Sequence, residues 1–493
     1  MNNLVIFPML IPVVAGLIMI VFRRQITFQK VLSILSVLGI AGVTAVLINQ
    51  VANNGIQTIH LGGWEPPFGI VFVGDMFALI LVFTTALVSI ACLFYAFSSI
   101  GSKREKYYFY AFVQFLVAGV IGSFLTGDLF NLFVCFEVML LASYVLISLG
   151  GEKVQLRESL KYVLINVLSS MLFLISAGFL YGAVGTLNMA QIAERVAAVE
   201  QGGILTTIAI LFLIVFGLKS ALFLFFWLPG SYGAPPTAVA ALFGALLTKV
   251  GIYALFRTFT LMFPHEPAIT HTLLGIMAGA TMILGGIGAI AYQDIKRIVS
   301  YNVIVAVGFI IAGLAIFSTP SIEGAIYYLI HDMVAKALLF LLAGTVIWLT
   351  SNAWLKNIGG LIRHFPVLGW TFFLVVLALA GIPPLSGFIG KVLVTQGAIS
   401  EGSYVLATIA LGSSILVLYS LLKIFKNSFW GEAVMGKEEM MPLKKGMLLP
   451  CVFLAFLSLA LGLGVEGISG YVTLAAEALM DPSIYIDAVL YNQ

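Results

Sequence analysis

The sequence predicts an all-α polytopic membrane protein with fourteen transmembrane helices. Of its 493 residues, 61% are hydrophobic and only 9% are charged, and the mean hydropathy is +1.12. A water-soluble chain of this length would need far more charge on its surface. Apolar runs of about 20 residues, the length that crosses a bilayer as a helix, recur along the whole chain. One continuous membrane domain is therefore expected.

Short polar segments separate the apolar runs and define the predicted spans. These cover residues 2–22, 30–51, 75–98, 107–126, 129–149, 160–184, 204–229, 235–261, 269–293, 298–317, 322–350, 366–399, 404–428 and 446–466. The first run lacks a basic start and a small-residue cleavage site, so it is expected to be a retained helix. Glycines and prolines in the loop 52–74 predict a short hairpin.

The basic residues provide an independent check on this count, because Lys and Arg collect in short cytoplasmic loops. Eighteen of the 24 fall in odd-numbered loops: Arg23, Arg24, Lys30, Lys103, Arg104, Lys106, Lys153, Arg157, Lys161, Lys296, Arg297, Lys356, Arg363, Lys423, Lys426, Lys437, Lys444 and Lys445. Only Arg195 and Arg257 lie on the side of the even-numbered loops. The alternation predicts that both termini face outward. Asp75, Asp128 and Asp294, near span ends, are expected to be interfacial.

The four remaining basic residues lie well inside apolar runs. They are Lys219, Lys249, Lys336 and Lys391, and Glu137 lies in a similar environment. A charged group at mid-membrane costs about 2.5–3.5 kcal/mol on insertion scales, so it needs a partner, water or a neutral form. These five residues are the first candidates for an ion path.

Two of the predicted spans are interrupted by proline and glycine. Pro229 follows Trp227-Leu228 in the seventh span, and Pro383-Pro384 lies in the twelfth. Proline removes a helix hydrogen bond, and the freed backbone must face protein or a hydrated cavity. Both breaks therefore suggest polar sites inside the membrane.

A candidate lysine lies close to each break, Lys219 before the first and Lys391 after the second. This pairing suggests two inverted five-helix repeats, as in transporters with a midplane site. The expected units are residues 1–106 with three spans and the external hairpin, 107–261 and 269–428 as the repeats, and 429–493 with the last span and a tail.

Each candidate has a functional and a structural interpretation. Glu137 and Lys219 could form an ion pair that works as a proton switch, or a static salt bridge between helices. Lys249 is expected to relay protons, with its ammonium group reaching an interface as the alternative.

The stretch from His331 to Lys336 includes Asp332, which shares a helix face with Lys336 and could simply neutralise it. Lys336 is expected to be a central relay residue and His331 an auxiliary titrating group or a packing residue. Lys391 is the terminal candidate, and its alternative is to cap carbonyls freed by the break.

Other chemistries leave no signature in the sequence. There is no Walker A loop, no GxGxxG after a strand, no cysteine cluster and no paired histidines for haem. We expect no cofactor, no metal site and no catalytic residue, and a net charge of +3 gives no indication of a nucleic-acid partner. The driving force must come from an ion gradient or from partner subunits.

The chain resembles the antiporter-like subunits shared by Mrp multisubunit cation/proton antiporters, respiratory complex I and membrane-bound hydrogenases. The matching segments are Asn131 to Leu141, Lys219 with Trp227-Leu228-Pro229 and Ala234-Pro235-Pro236-Thr237, Leu247 to Tyr253, His331 to Phe340, and Gly381 to Lys391. The resemblance implies that Glu137 and Lys219 are the switch pair, Lys249 the connecting lysine, Lys336 the relay and Lys391 the terminal site.

Departures from the redox-complex pattern make the chain most similar to the Mrp branch. Gly230-Ser231-Tyr232 stands where those relatives commonly have Asp-Ala-His or similar, and Lys391 replaces a usual glutamate. The resemblance implies exchange of Na⁺ or K⁺ for protons across a bacterial plasma membrane, beside other Mrp-type subunits in a hetero-oligomer. The alternatives are a proton-pumping subunit of complex I or a hydrogenase, and a scaffold without a transport path.

Overall fold

The structure, a computed structural model, describes residues 2–199, 202–432 and 436–491 and is almost entirely helical. The first twelve α-helices are α1 (Phe7–Val21), α2 (Ile26–Asn54), α3 (Met76–Ser99), α4 (Ser102–Glu105), α5 (Phe109–Leu125), α6 (Leu129–Ile147), α7 (Lys153–Val184), α8 (Met189–Val199), α9 (Ile204–Ser220), α10 (Leu228–Gly233), α11 (Thr237–Leu242) and α12 (Thr248–Phe256). The others are α13 (Pro267–Ala291), α14 (Ile295–Ile316), α15 (Thr319–Thr350), α16 (Pro366–Ala380), α17 (Ser386–Ser400), α18 (Tyr404–Phe429), α19 (Lys445–Leu463), α20 (Val465–Met480) and α21 (Pro482–Ile486).

The helices confirm a polytopic membrane protein. Within the described ranges, eleven helices are long and apolar enough to cross a bilayer, and α5, α9 and α16 are shorter apolar helices. Two of the eleven include adjoining turns, since a 3₁₀ turn precedes α1 and π-helical segments at Phe243–Leu247 and Arg257–Met262 flank α12. The count of fourteen spans and the inverted repeats stay predictions.

A short hairpin connects α2 and α3. Strands β1 (Gln57–His60) and β2 (Val71–Gly74) pair antiparallel, with Gln57 opposite Gly74 and His60 opposite Val71. The backbone N–H of Asn2 donates to the carbonyl of Thr58 at 2.8 Å. Asn2 is therefore held against the hairpin.

The aspartates near the predicted span ends begin helices. Asp75, Asp128 and Asp294 are the N-caps of α3, α6 and α14, and each carboxylate accepts a backbone N–H three residues later at 2.8–3.0 Å. Asp75 and Asp128 are buried within the protein, and the interfacial position of all three aspartates stays a prediction. An N-cap carboxylate satisfies first-turn N–H groups where little water is available.

Three residues predicted to lie in the fifth loop belong to α7. Lys153, Arg157 and Lys161 occupy its first turns, because the helix continues beyond the apolar window that marked the span. Arg257, which the sequence assigns to the side of the even-numbered loops, lies within the predicted eighth span. It is buried in the helical segment after α12 and pairs with the carboxylate of Asp75.

Helix α15 lies at the centre of the fold. Most of its 32 residues are buried, and it packs against α3, α14, α17, α19 and α20. Helix α20 lies in the segment predicted as a tail, and it folds back onto α3 and α15. The candidate residues of α15 are thus enclosed by protein on several sides.

Candidate functional site

The first helix break lies immediately after Lys219. Helix α9 ends at Ser220, and the next residues include Ala221 and Phe223 in the left-handed region, with φ of 64° and 61°. Pro229 lies in the first turn of α10, where a missing N–H costs little. The expectation that Pro229 interrupts the helix is therefore wrong, since the helix has already ended at Ser220.

Backbone and side-chain hydrogen bonds hold this break together. The indole N–H of Trp227 donates to the carbonyl of Leu218 at 3.2 Å, and the backbone N–H of Phe223 donates to Thr281 Oγ1 at 2.7 Å. These bonds satisfy groups that a continuous helix would have paired internally. The end of α9, and with it Lys219, is fixed in place.

Glu137 and Lys219 are connected through a serine. Ser170 Oγ, on α7, donates to Glu137 Oε1, and Lys219 Nζ donates to Ser170 Oγ at 3.1 Å. Lys219 is buried, and its ammonium lies 4.8 Å from the centre of the Phe136 ring. In the described residues, no salt bridge within 4 Å joins the two charged groups directly. The hydroxyl thus occupies the position where an ion pair is expected from the sequence.

Replacing Ser170 with alanine is expected to slow proton exchange by roughly 10- to 100-fold, because hydrogen bonds to charged groups are worth about 1.5–3 kcal/mol. The measurement is cation-induced proton movement, the activity that the sequence resemblance implies, in vesicles containing the implied multisubunit complex. Ser170→Thr keeps the hydroxyl and is expected to retain more activity. Equal rates for wild type and Ser170→Ala would contradict the bridging role.

A second cluster joins α12 to α15. Lys249 Nζ lies 2.6 Å from Asp332 Oδ2 and donates to the carbonyl of Gly244 at 2.9 Å. Lys336 Nζ lies 3.3 Å from Asp332 Oδ1, one helical turn away. The side chains of these three charged residues are at most 1% exposed. One carboxylate therefore serves two buried lysines.

The two clusters approach each other where α12 crosses the end of α9. A Cβ at Gly251 would lie 2.6 Å from the backbone N of Ser220, so only glycine permits this approach. Lys219 directly precedes Ser220, and Lys249 lies two residues before Gly251. Within the described ranges, however, no hydrogen bond or ion pair joins Lys219 to Lys249, or Lys336 to Lys391.

His331 makes its side-chain hydrogen bond at the second helix break. Its Nδ1 lies 2.7 Å from Ser386 Oγ, at the start of α17, and Ser386 Oγ lies 3.0 Å from Ser458 Oγ. The buried Nε2 has no hydrogen-bond partner. His331 therefore connects α15 to the second helix break.

Lys391 binds the end of the helix that precedes this break. Pro383 and Pro384 form the turn between α16 and α17, and Lys391 Nζ donates to the carbonyls of Leu379 and Ala380, each at 2.9 Å. This is the geometry of the alternative interpretation, a charge on freed carbonyls. Lys391 also lines an open cavity of about 670 Å³ between α17 and α18. Its position therefore permits both a structural role and exchange with the cavity.

Two important site residues are missed or undervalued by sequence reasoning. Ser170 lies in a Ser-Ser pair of an apolar helix and carries no sequence signal of its own. The spacing predicts Asp332 only as a local neutraliser of Lys336, whereas its shorter contact is to Lys249 on another helix. In the part of the chain that the structure describes, no group of three His, Cys, Asp or Glu residues is placed to hold a metal ion.

Comparison with known proteins gives consistent matches. Residues 126–417 match the family model described as "NADH:quinone oxidoreductase/Mrp antiporter, TM". The D-type subunits of the Na⁺/H⁺ antiporters of Bacillus subtilis (strain 168) and Alkalihalophilus pseudofirmus are each 51% identical over 492 residues, which cover 99% of this chain and all of theirs. A chain in the structure of the Mrp complex from Dietzia sp. DQ12-45-1b superposes with a TM-score of 0.92 at 27% identity, covering 99% of this chain and 100% of the other.

Proposed function

Because this chain belongs to the family of D-type subunits of Mrp Na⁺/H⁺ antiporters, we propose that it conducts protons inside a multisubunit antiporter. It is a transport subunit and not an enzyme. Protons move through it in exchange for Na⁺ or K⁺, and the other subunits of a hetero-oligomer complete the exchanger. Full-length similarity to antiporter subunits favours this function over a role in a redox-driven pump.

The proposal includes the topology that the loop charges predict. The chain crosses a bacterial plasma membrane fourteen times with both termini outside, and residues 107–261 and 269–428 form inverted repeats flanked by residues 1–106 and 429–493. The lysine-bearing breaks after α9 and before α17 support this arrangement, since each repeat then contributes one.

The observation that carries the proposal is that several buried charged clusters follow one another through the protein. Glu137, Ser170 and Lys219 form the first, and Lys249, Asp332 and Lys336 form the second. Lys391 and the His331–Ser386 pair lie at the second break. Isolated charges are costly in a bilayer, so a series of partnered ones is typical of an ion path.

The second cluster can adopt two arrangements, with the shared Asp332 carboxylate closer to Lys249 or closer to Lys336. Asp332 lies closer to Lys249 than to Lys336, by 2.6 Å against 3.3 Å. A shift of the carboxylate towards Lys336 would remove the counter-ion from Lys249. A buried ammonium without a counter-ion is the form that gives up a proton most readily. Movement of one carboxylate can therefore pass a change of charge along the chain.

The test is cation-induced proton movement in vesicles that contain the whole complex. Glu137→Ala, Lys219→Ala and Lys391→Ala are each expected to lower the exchange rate about a hundredfold or more, because positioned acid and base groups contribute about 10²–10⁴-fold. Lys106→Ala, at an exposed lysine, is the control and is expected to behave as wild type.

Assembly is measured in parallel as the amount of complex recovered with all its subunits. Normal exchange in all three variants at normal assembly would refute the proton path. Loss of assembly in Glu137→Ala and Lys219→Ala would instead support the static connection between helices.

A further inference from the structure

Helix α7 carries a buried polar stripe that the proposed relay uses only at one end. Glu158, Tyr162, Asn166 and Ser170 follow one another at intervals of four residues, which places them on one face of the helix. Each is at most 8% exposed. The opposite face is apolar and exposed, with Leu160, Leu164, Leu168 and Met171. The stripe therefore faces protein and not lipid.

One end of the stripe is the Glu137 and Lys219 cluster. Ser170 is the hydroxyl that contacts both charged groups. From Ser170 back to Glu158 the helix rises about 18 Å, or twelve residues at 1.5 Å each. The stripe thus leads from the buried cluster to the basic end of α7, which the loop charges predict to be cytoplasmic.

Helix α6 adds hydroxyl groups to the middle of the stripe. Tyr162 Oη lies 3.0 Å from Ser143 Oγ, and the side-chain N–H of Asn166 donates to the carbonyl of Tyr162 at 2.8 Å. The ring of Tyr144 lies 5.6 Å from that of Tyr162, and its buried hydroxyl has no hydrogen-bond partner. A buried hydroxyl without a hydrogen-bond partner lowers stability, which a purely structural contact between helices would avoid. The same hydroxyl can take part in a chain of proton donors and acceptors.

The other end of the stripe is a carboxylate held just below the surface. The Glu158 side chain is 5% exposed, and Oε1 lies 2.8 Å from Arg157 Nη2 and 3.4 Å from Lys161 Nζ. Those two cationic side chains are more than half exposed. Glu158 also fills the space beside Gly230, where a Cβ would lie 2.1 Å from Oε2. The carboxylate is thus packed against α10, the short helix that follows the break after Lys219.

We propose that this stripe is the proton entrance to the Glu137 and Lys219 cluster, with Glu158 as its proton collector. The inference rests on the proposed proton path and adds its origin. A proton from water at the basic end of α7 binds the Glu158 carboxylate and forms a carboxylic acid. Glu158 returns to the carboxylate when the proton moves on through the hydroxyl groups to the cluster, so no other reactant is consumed.

The test compares Glu158→Gln with Glu158→Asp in vesicles containing the whole complex. Glu158→Gln is expected to lower cation-induced proton movement at least tenfold at normal assembly, and Glu158→Asp to retain a substantial part of the rate. Glu152→Gln is the matched control, since Glu152 is the N-cap of the same helix but is exposed and pairs with Arg104. It is expected to leave exchange unchanged.

A second pair of variants decides the matter if Glu158→Gln fails to assemble. Tyr162→Phe removes one buried hydroxyl and is expected to slow exchange severalfold, whereas Tyr181→Phe, at an exposed tyrosine of α7, is expected to have no effect. Normal exchange in Tyr162→Phe, together with normal exchange in any assembled Glu158→Gln complex, would overturn the entrance. The three relay variants distinguish the two proposals. If Lys219→Ala is inactive while the stripe variants are normal, only the entrance is wrong. If Glu137→Ala, Lys219→Ala and Lys391→Ala are all normal as well, the proton path itself is wrong.

Discussion

Replacing Asp332 with asparagine is expected to abolish proton exchange and to lower the stability of the assembled complex more than any other single change in the site. The carboxylate is the only contact of opposite charge that the structure gives, in the residues it describes, to either Lys249 or Lys336. Removing one partner of a buried ion pair costs about 3–5 kcal/mol, because the other charge is left unpaired. The measurements are the Tm of the purified complex and the exchange rate per assembled complex.

Asp294→Asn is the matched control for this substitution. Asp294 is the N-cap of α14, and asparagine caps a helix about as well as aspartate, so the variant should resemble wild type. Neutralising a lysine as well, in Asp332→Asn with Lys249→Met, is expected to recover part of the lost Tm, since one unpaired charge is then removed. An Asp332→Asn complex with wild-type Tm and wild-type exchange would contradict the shared role of the carboxylate.

Arg257→Leu is expected to have the second-largest effect, and on stability more than on exchange. Arg257 pairs with Asp75, donates from Nε to the hydroxyl of Tyr253 at 3.0 Å, and stacks 5.0 Å from the centre of the Tyr485 ring. Its loss leaves the Asp75 carboxylate buried without a cation, at a cost of about 3–5 kcal/mol. The measurement is the Tm of the purified complex, with exchange normalised to the amount assembled.

The double variant Asp75→Asn with Arg257→Leu separates the pair from its surroundings. Asparagine keeps the N-cap hydrogen bond to Ala78 without carrying a charge, so the double variant should be more stable than Arg257→Leu alone. If the double variant is no more stable, the cost arises from lost packing around Arg257. An exchange rate per complex that falls as far as in Lys219→Ala would place this pair in the proton path.

The parts of the site that could be predicted are those where a charge interrupts an apolar run. Lys219, Lys249, Lys336 and Lys391 are conspicuous because each lies well inside an apolar run, and the structure indeed buries them. Ser170 could not be found in this way, because serine is compatible with an apolar helix and gives no hydropathy signal. Its importance comes only from the two neighbours that folding brings to it.

The helix ends are harder to predict for two reasons. Proline and glycine indicate a helix break only where they are themselves the residues that end the helix. After Lys219 the chain turns instead at Ala221 and Phe223, residue types that have no preference for positive φ. Hydropathy windows also end where several charged residues occur close together, although a helix can continue through them. This is why the sequence predicts Arg157 in a loop, whereas the structure places it in α7.

The two hydrogen bonds of Lys391 have a consequence for its chemistry. An ammonium group has three N–H donors and a neutral amine has two, the same number as the carbonyls of Leu379 and Ala380 that it contacts. Lys391 can therefore release a proton and keep both bonds, with its lone pair free to take up the next one. The turn at the second break does not have to rearrange when this side chain changes charge, so Lys391 can be protonated and deprotonated repeatedly without a conformational change.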